Sequence, residues 1–174
     1  MTKIITKSSQ QTRELGEKLA KGLFLVGENF KSNQFENISP LEVRMEARKR
    51  GAIVLGLSGD LGSGKTTFLQ GFAKGLGIKE KILSPTFVIQ KRFNIYNPKF
   101  KNFYHIDCYR LEKEKDVLML GWKEIANNPQ NIIAIEWPEK IKKVLPKNII
   151  WIKFKFIDDK TRGVNLKYRQ KIPL

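Results

Sequence analysis

Two hydrophobic periods run along this chain, and where one gives way to the other marks out its elements. From Gln10 to Leu23, behind a candidate N-cap at Ser9, Leu15, Leu19, Ala20 and Leu23 recur at helical spacing while Arg13, Glu14, Glu17, Lys18 and Lys21 take other faces. This predicts an amphipathic first helix. Ala52 to Ser58 is a short, nearly continuous apolar run, as in a strand buried on both faces. A second helix is expected from Lys65, with Phe68, Leu69, Phe72 and Leu76 as its buried stripe and Gly75 and Gly77 marking its stop. Between the first helix and the buried strand, Ser39-Pro40-Leu41-Glu42 has the form of a capping box with proline at the first helical position, predicting a short helix to about Arg50.

The second half is richer in strands. Val88 to Tyr96 and Lys101 to Asp107 form a hairpin around Asn97-Pro98-Lys99. Glu112 to Ile125 predicts a helix broken at Gly121, and Asn131 to Ile135 an apolar strand that ends in Glu136 and Trp137. One or two helical turns are expected from Glu139 to Val144. At the end of the chain, Ile150, Ile152, Phe154 and Phe156 alternate with Trp151, Lys153 and Lys155, followed by Val164, Leu166 and Tyr168. These make two antiparallel strands around Asp158-Asp159-Lys160, expected to close the sheet.

The chemistry centres on Gly59-Asp60-Leu61-Gly62-Ser63-Gly64-Lys65-Thr66, which matches the phosphate-binding pattern G-x-x-x-x-G-K-[ST] between a strand and a helix. Backbone N–H groups of such a loop aim at phosphate oxygens, the lysine reaches the β and γ phosphates, and the hydroxyl of Thr66 ligates Mg²⁺. The fold class that follows is α/β: a single P-loop NTPase-type domain of three layers, its mixed sheet including antiparallel strands. A length of 174 residues suits one such domain.

Asp107 and Glu136 each stand at a strand end, where P-loop enzymes place the acid that holds Mg²⁺ or positions the attacking water, although strand-end acids are also ordinary surface residues. Thr86, in Ser84-Pro85-Thr86-Phe87, is a γ-phosphate sensor or a plain strand entry. His105 shares a face with Asp107 by alternation and is read as a neutral side chain that orients a neighbour, and Cys108 as a core residue.

Composition narrows the class further. A single cysteine excludes an internal disulfide and a zinc cluster, no apolar run is long enough to span a bilayer, and the first residues lack the features of a secretory signal, so a cytoplasmic protein without a membrane partner is expected. The net charge of +16 suits a polyanionic partner such as RNA, or reflects a chain-wide lysine bias; the folded surface decides between them. The N-K-x-D pattern that reads guanine does not occur. A small P-loop kinase would need an arginine-bearing lid, yet arginines are sparse between Gly77 and Leu111. A basic RNA-binding module without enzymatic activity is the third reading, and no RNA-recognition motif supports it.

Taken in order, Thr12 to Ala20, Gly59 to Thr67, Ser84-Pro85-Thr86-Phe87, His105-Ile106-Asp107-Cys108-Tyr109-Arg110-Leu111, Leu120-Gly121-Trp122 and Ile135-Glu136-Trp137-Pro138-Glu139 make a constellation. It resembles the TsaE family, bacterial P-loop ATPases of tRNA threonylcarbamoyladenosine biosynthesis. The resemblance implies Mg²⁺ and ATP as ligands and slow ATP hydrolysis. It places Asp60, Leu61, Gly62, Ser63, Gly64 and Lys65 on the phosphates, Thr66 and Glu136 at Mg²⁺, Thr86 as a switch-like sensor and Asp107 as the catalytic carboxylate. Thr12, Thr67 and Trp137 would lie around the α phosphate and adenine, with Arg162 on the nucleotide's outer side. It further implies a resetting factor, monomeric when alone, that acts on a TsaD–TsaB complex and meets tRNA through it or directly. Three departures stand out: residues 24–49 look like an insertion that puts the Thr12 contact in question, and Cys108 and Trp122 replace more usual leucines.

Overall fold

The computed structural model describes residues 2–24, 51–85 and 88–167. The predicted helix over Ser39 to Arg50, most of the expected insertion and Thr86 fall outside them. In chain order the elements are β1 (Thr2–Thr6), α1 (Ser9–Phe24), β2 (Ile53–Ser58), α2 (Lys65–Gly75), β3 (Gln90–Asn94), β4 (Asn102–Asp107), α3 (Glu114–Leu118), α4 (Trp122–Asn127), β5 (Asn131–Glu136), a 3-10 segment (Pro138–Val144), β6 (Ile150–Phe156) and β7 (Arg162–Lys167).

The seven strands form one sheet in the order β1-β7-β6-β2-β5-β4-β3. β6, β2, β5 and β4 run parallel, while β3 and β7 lie antiparallel to their inner neighbours and β1 antiparallel to β7. The mixed α/β sheet is the one the patterning predicts. Parallel strands need cover on both faces, and β2 and β5 have it: Ile53, Leu55, Leu57, Ile132 and Ala134 face one apolar cluster, and Val54, Ile133 and Ile135 face the other.

α1 and α2 cover the first face. Phe68, Leu69 and Phe72 of α2 are fully buried there, each stabilising the fold by roughly 1.5–3 kcal/mol. The two helices touch backbone to backbone through glycine. A Cβ at Gly71 would stand 1.8 Å from the Arg13 carbonyl oxygen, and one at Gly16 would stand 2.1 Å from that of Phe68. Gly75, expected as a stop signal, is the last residue of α2 and serves the same contact, 2.5 Å from the Glu17 carbonyl oxygen. Short segments cover the second face: α3, α4 and the 3-10 turn pack around Val117, Trp122 and Ile141.

Three expectations change. Thr2–Thr6 forms a strand that the patterning did not reveal, so the C-terminal hairpin does not end the sheet; β1 pairs outside β7, from Thr2 opposite Leu166 to Thr6 opposite Arg162. Phe156, read as inward-facing, is 46% exposed and lies under the Arg162 guanidinium, 4.6 Å from its ring centre. The first strand of the hairpin begins at Gln90 rather than Val88, because Val88 and Ile89 form a turn over Pro85. Among the described residues, no helix is long and apolar enough to cross a membrane.

Candidate active site

The parallel strands β2, β4 and β5 end side by side, and their carboxyl ends deliver Ser58, Asp107 and Glu136 to one edge of the sheet. Ligands of open α/β sheets bind at such an edge. A cavity of about 360 Å³ opens there. Thr12, Leu61, Gly62, Ser63, Gly64, Lys65, Thr66, Thr67, Asp107, Glu136, Trp137 and Arg162 all line it. Of the residues singled out from sequence, Asp60 contributes a carbonyl to the loop but does not line the cavity, and Thr86 lies outside the described residues.

The loop from Gly59 turns sharply into α2. Gly64, the N-cap, has φ 99°, a left-handed conformation that glycine adopts without a Cβ clash. Past it, the free N–H groups of the first turn of α2 and the positive end of its dipole meet the cavity. The Lys65 ammonium curls back over the loop, donating to the carbonyl oxygens of Gly59 (2.7 Å) and Asp60 (2.9 Å). Burial holds its pKa below the ordinary lysine value, against the opposing pull of Glu136 and then Asp107. The Trp137 ring lies over the ammonium at 4.4 Å, and Tyr109 packs on that ring at 5.3 Å. Trp137 takes up this position through φ 58°, an uncommon backbone conformation for a bulky residue and one found disproportionately at ligand sites.

The acids are held differently from one another. Glu136 Oε1 accepts from the Thr66 hydroxyl (3.0 Å) and lies 3.0 Å from His105 Nε2. A carboxylate only accepts, so a neutral His105 carries its proton on Nε2. Its Nδ1 is buried with no partner among the described residues. His105 therefore does orient an acid, and that acid is Glu136 rather than its strand neighbour Asp107. Asp107 is fixed by the Ser84 hydroxyl on Oδ2 (2.8 Å) and the Tyr109 N–H on Oδ1 (2.9 Å). Ser84 stands in the same tetrapeptide as Thr86, and no spacing along the chain marks its bond to Asp107. Tyr109 likewise lines the cavity, as do Ser9, Asp159 and Lys160, the last two from the β6–β7 turn, where no motif marks them.

Two candidates stand at the edges of the cavity. Thr12 is buried and its methyl would sit 3.7 Å from a Cβ at Gly64, so it does pack against the loop; its hydroxyl, however, turns to Thr6 Oγ1 (2.8 Å) and the Ser8 carbonyl (3.1 Å). Arg162 donates to the Thr161 carbonyl at 3.0 Å and closes the rim. Cys108 is fully buried, and desolvation pushes its thiol up to about 12, which removes it as a nucleophile.

A nest of N–H groups with a lysine suits a phosphate chain, and a hydroxyl beside a carboxylate suits a hard cation. Comparisons with known proteins give the family. The family model "Threonylcarbamoyl adenosine biosynthesis protein TsaE" matches residues 6–164. A protein of Bacillus subtilis named tRNA threonylcarbamoyladenosine biosynthesis protein TsaE is 37% identical over 139 residues, 77% of this chain and 84% of the relative. Its namesake in Haemophilus influenzae is 34% identical over 125 residues, 72% of this chain and 76% of the relative. The crystal structure of Bacillus subtilis YdiB superposes with a TM-score of 0.65 at 28% identity, covering 96% of this chain and 84% of that one. With the family match running from the end of β1 into β7, and relatives of that name aligned over most of their length, the chain belongs to the TsaE family.

Proposed function

We propose that this protein binds Mg²⁺-ATP, hydrolyses it slowly, and serves the tRNA threonylcarbamoyladenosine machinery as an ATPase subunit that lets a TsaD–TsaB complex turn over repeatedly. One observation carries the reading: the Lys65 ammonium, the Thr66–Glu136 pair and the fixed carboxylate of Asp107 line a single cavity at the strand ends. The residues suit the ligand. Lys65 is bonded to carbonyls of its own loop, contacts that an incoming phosphate replaces with a stronger charge-assisted pair. Ser63 Oγ is buried without a partner among the described residues, leaving a donor in the loop to spare. Mg²⁺ keeps several waters and takes one or two protein ligands, and Thr66 with Glu136 supplies that number.

Bound Mg²⁺ would neutralise phosphate charge during transfer to water. The chain's own residues do the rest. Lys65 and the α2 N-terminus anchor the anion, His105 and Thr66 aim Glu136, and Asp107, held from two sides by Ser84 and the Tyr109 N–H, offers its carboxylate to orient water. Trp137 and Tyr109 wall the cavity against bulk solvent. Stacking of one exposed aromatic face on a base is the contact this wall offers.

Reconstitution tests the reading: with its own TsaD, TsaB and tRNA, modification should exceed one turnover per complex only when ATP is present. Phosphate transfer to a nucleoside or sugar acid in place of hydrolysis would instead make the protein a kinase. A binding test is simpler. At a hundred times its dissociation constant, Mg²⁺-ATP should stabilise the wild type by about 2.7 kcal/mol. Lys65→Ala should abolish that shift, and an unchanged shift in the variant would overturn the assignment of the loop.

A further inference from the structure

The short segments of the second face reach as far as Trp151 of β6; beyond it, the outward side of β6, β7 and β1 has no covering layer among the described residues. On β6, Ile152 and Phe154 enter the core, so Trp151, Lys153 and Lys155 project the other way; on β7, Val164 and Leu166 enter it, leaving Gly163, Asn165 and Lys167 outward. β1 adds Lys3 and Ile5 to the same side. Register aligns these into rows: Lys3, Asn165 and Lys153 across the three strands, and Ile5, Gly163 and Lys155 beside them. The three atoms nearest a Cβ at Gly163 belong to Ile157, Lys155 and Ile5, at 3.6–3.9 Å, all on β1, β6 or the residue that follows β6.

The face is basic without relief. Lys3, Lys153, Lys155 and Lys167 are all exposed, no acid projects from the face, and none of the four forms an ion pair with a described residue. Elsewhere Lys21 and Lys74 share Glu17 at 2.6 and 2.9 Å and Lys143 meets Glu114 at 3.4 Å, while other exposed lysines, Lys79 and Lys81 among them, form no ion pair with a described residue either; what sets this face apart is that its lysines stand in register on adjacent strands. Alternate residues of a strand stand ~7 Å apart, so Lys153 and Lys155 repel each other unless an anion lies between them. Gly163 and the half-buried Asn165 leave the centre flat; among the described residues, the one aromatic on this side of the three strands, Trp151, is half-buried against the second cluster, and the exposed apolar side chains are Ile5 and Ile157 beside Gly163. The opposite end of the same hairpin supplies Asp159, Lys160 and Arg162 to the cavity.

We propose that the outward face of β1, β7 and β6 is a binding surface for the phosphate backbone of RNA, held by Lys3, Lys153, Lys155 and Lys167 without reading base sequence. The charge of the chain is then a local device as well as a bulk property. The proposal deepens the tRNA-modification reading and rests on it for the choice of RNA, but not on ATP hydrolysis.

Fluorescence anisotropy of the full chain with a labelled, unmodified tRNA transcript, without nucleotide and across a salt series, tests it. Two double variants of equal net charge are compared: Lys153→Glu/Lys155→Glu on the face, and Lys79→Glu/Lys81→Glu at exposed positions elsewhere. Removing two phosphate contacts should lower the salt slope by about 1.4–1.8 and weaken binding by about tenfold or more in the face variant, with a much smaller loss in the other. Equal losses in the two variants would reduce the effect to net charge and overturn the proposal, as would a wild type that binds no tRNA. A face variant that binds tRNA normally but fails in the reconstituted TsaD–TsaB assay would make the face a protein-docking surface, which also overturns it. Unchanged melting temperatures and circular dichroism show that both variants fold. The thermal shift with Mg²⁺-ATP, measured on the same samples, should survive in both; its absence in the wild type would defeat the ATPase reading while leaving the RNA result to stand by itself.

Discussion

The two sides of the sheet are built by opposite means. On one, α1 and α2 lie so close that glycines meet main-chain atoms, with no room for a single added carbon at Gly16, Gly71 or Gly75. On the other, α3 and α4 have five and six residues, too short to hold themselves together, and a large buried indole fills the space between them and the 3-10 turn. The first side resists addition and the second resists deletion. The difference matters for the site, because the close-packed side carries both the phosphate loop's helix and Thr12, whereas the other side backs the strand ends that bear the acids.

The largest effect should come from deleting the plug. Trp122 is 3% exposed and its Nε1–H donates to the Val144 carbonyl at 3.1 Å. Trp122→Ala should cost about 3–5 kcal/mol, read from urea unfolding. A cost near that of an ordinary surface change would show that the short helices need no filler. Trp122→Phe keeps most of the volume and leaves the carbonyl unmet, so a loss of about 1 kcal/mol is expected from the same measurement.

Addition should be the mirror image on the other side. Gly71→Ala places a methyl into the Arg13 carbonyl, an overpacking cost of about 1–3 kcal/mol that the better helix propensity of alanine offsets by about 1. A net loss of about 0–2 kcal/mol should appear, together with weaker binding of Mg²⁺-ATP by the folded protein, since α1 and Thr12 must move away from the loop. Loss of stability with unchanged nucleotide affinity would separate the helix contact from the site.

This asymmetry also explains what could be read in advance. Strands β2 and β5 and the stripe of α2 were legible because burial on fixed periods leaves a mark in the residues themselves. Glu136, Asp107 and Lys65 were legible because strand ends and the loop motif are local features. The glycine contact was not: Gly71 and Gly75 look like weak points in a helix until a second helix is laid on them, and Gly75 was read as a stop for that reason. β1 escaped because Thr2–Thr6 is short and mixed in polarity, and its partner strand lies near the far end of the chain. The bond from His105 to Glu136 joins residues on adjacent strands whose register no spacing along the chain reveals.

The smallest test concerns charge at the glycine-locked interface. Glu17 on α1 takes Lys21 from its own helix at 2.6 Å and Lys74 from α2 at 2.9 Å, so one carboxylate ties the pair together at its rim. Hydrogen bonds from Lys21 and then Lys74 hold its pKa below the ordinary value of 4.5. The folded state thus prefers the ionised acid: its stabilising contribution is full above pH 4.5 and fades as pH falls through the lowered folded value. Solvent screens a rim pair, and Glu17→Gln should cost only about 0.5 kcal/mol at pH 7. Thermal melts should show the gap between variant and wild type closing in acid. If the gap is as large at pH 3 as at pH 7, the carboxylate acts by shape rather than charge, and the close approach of the two helices needs no electrostatic tie beyond the glycines that permit it.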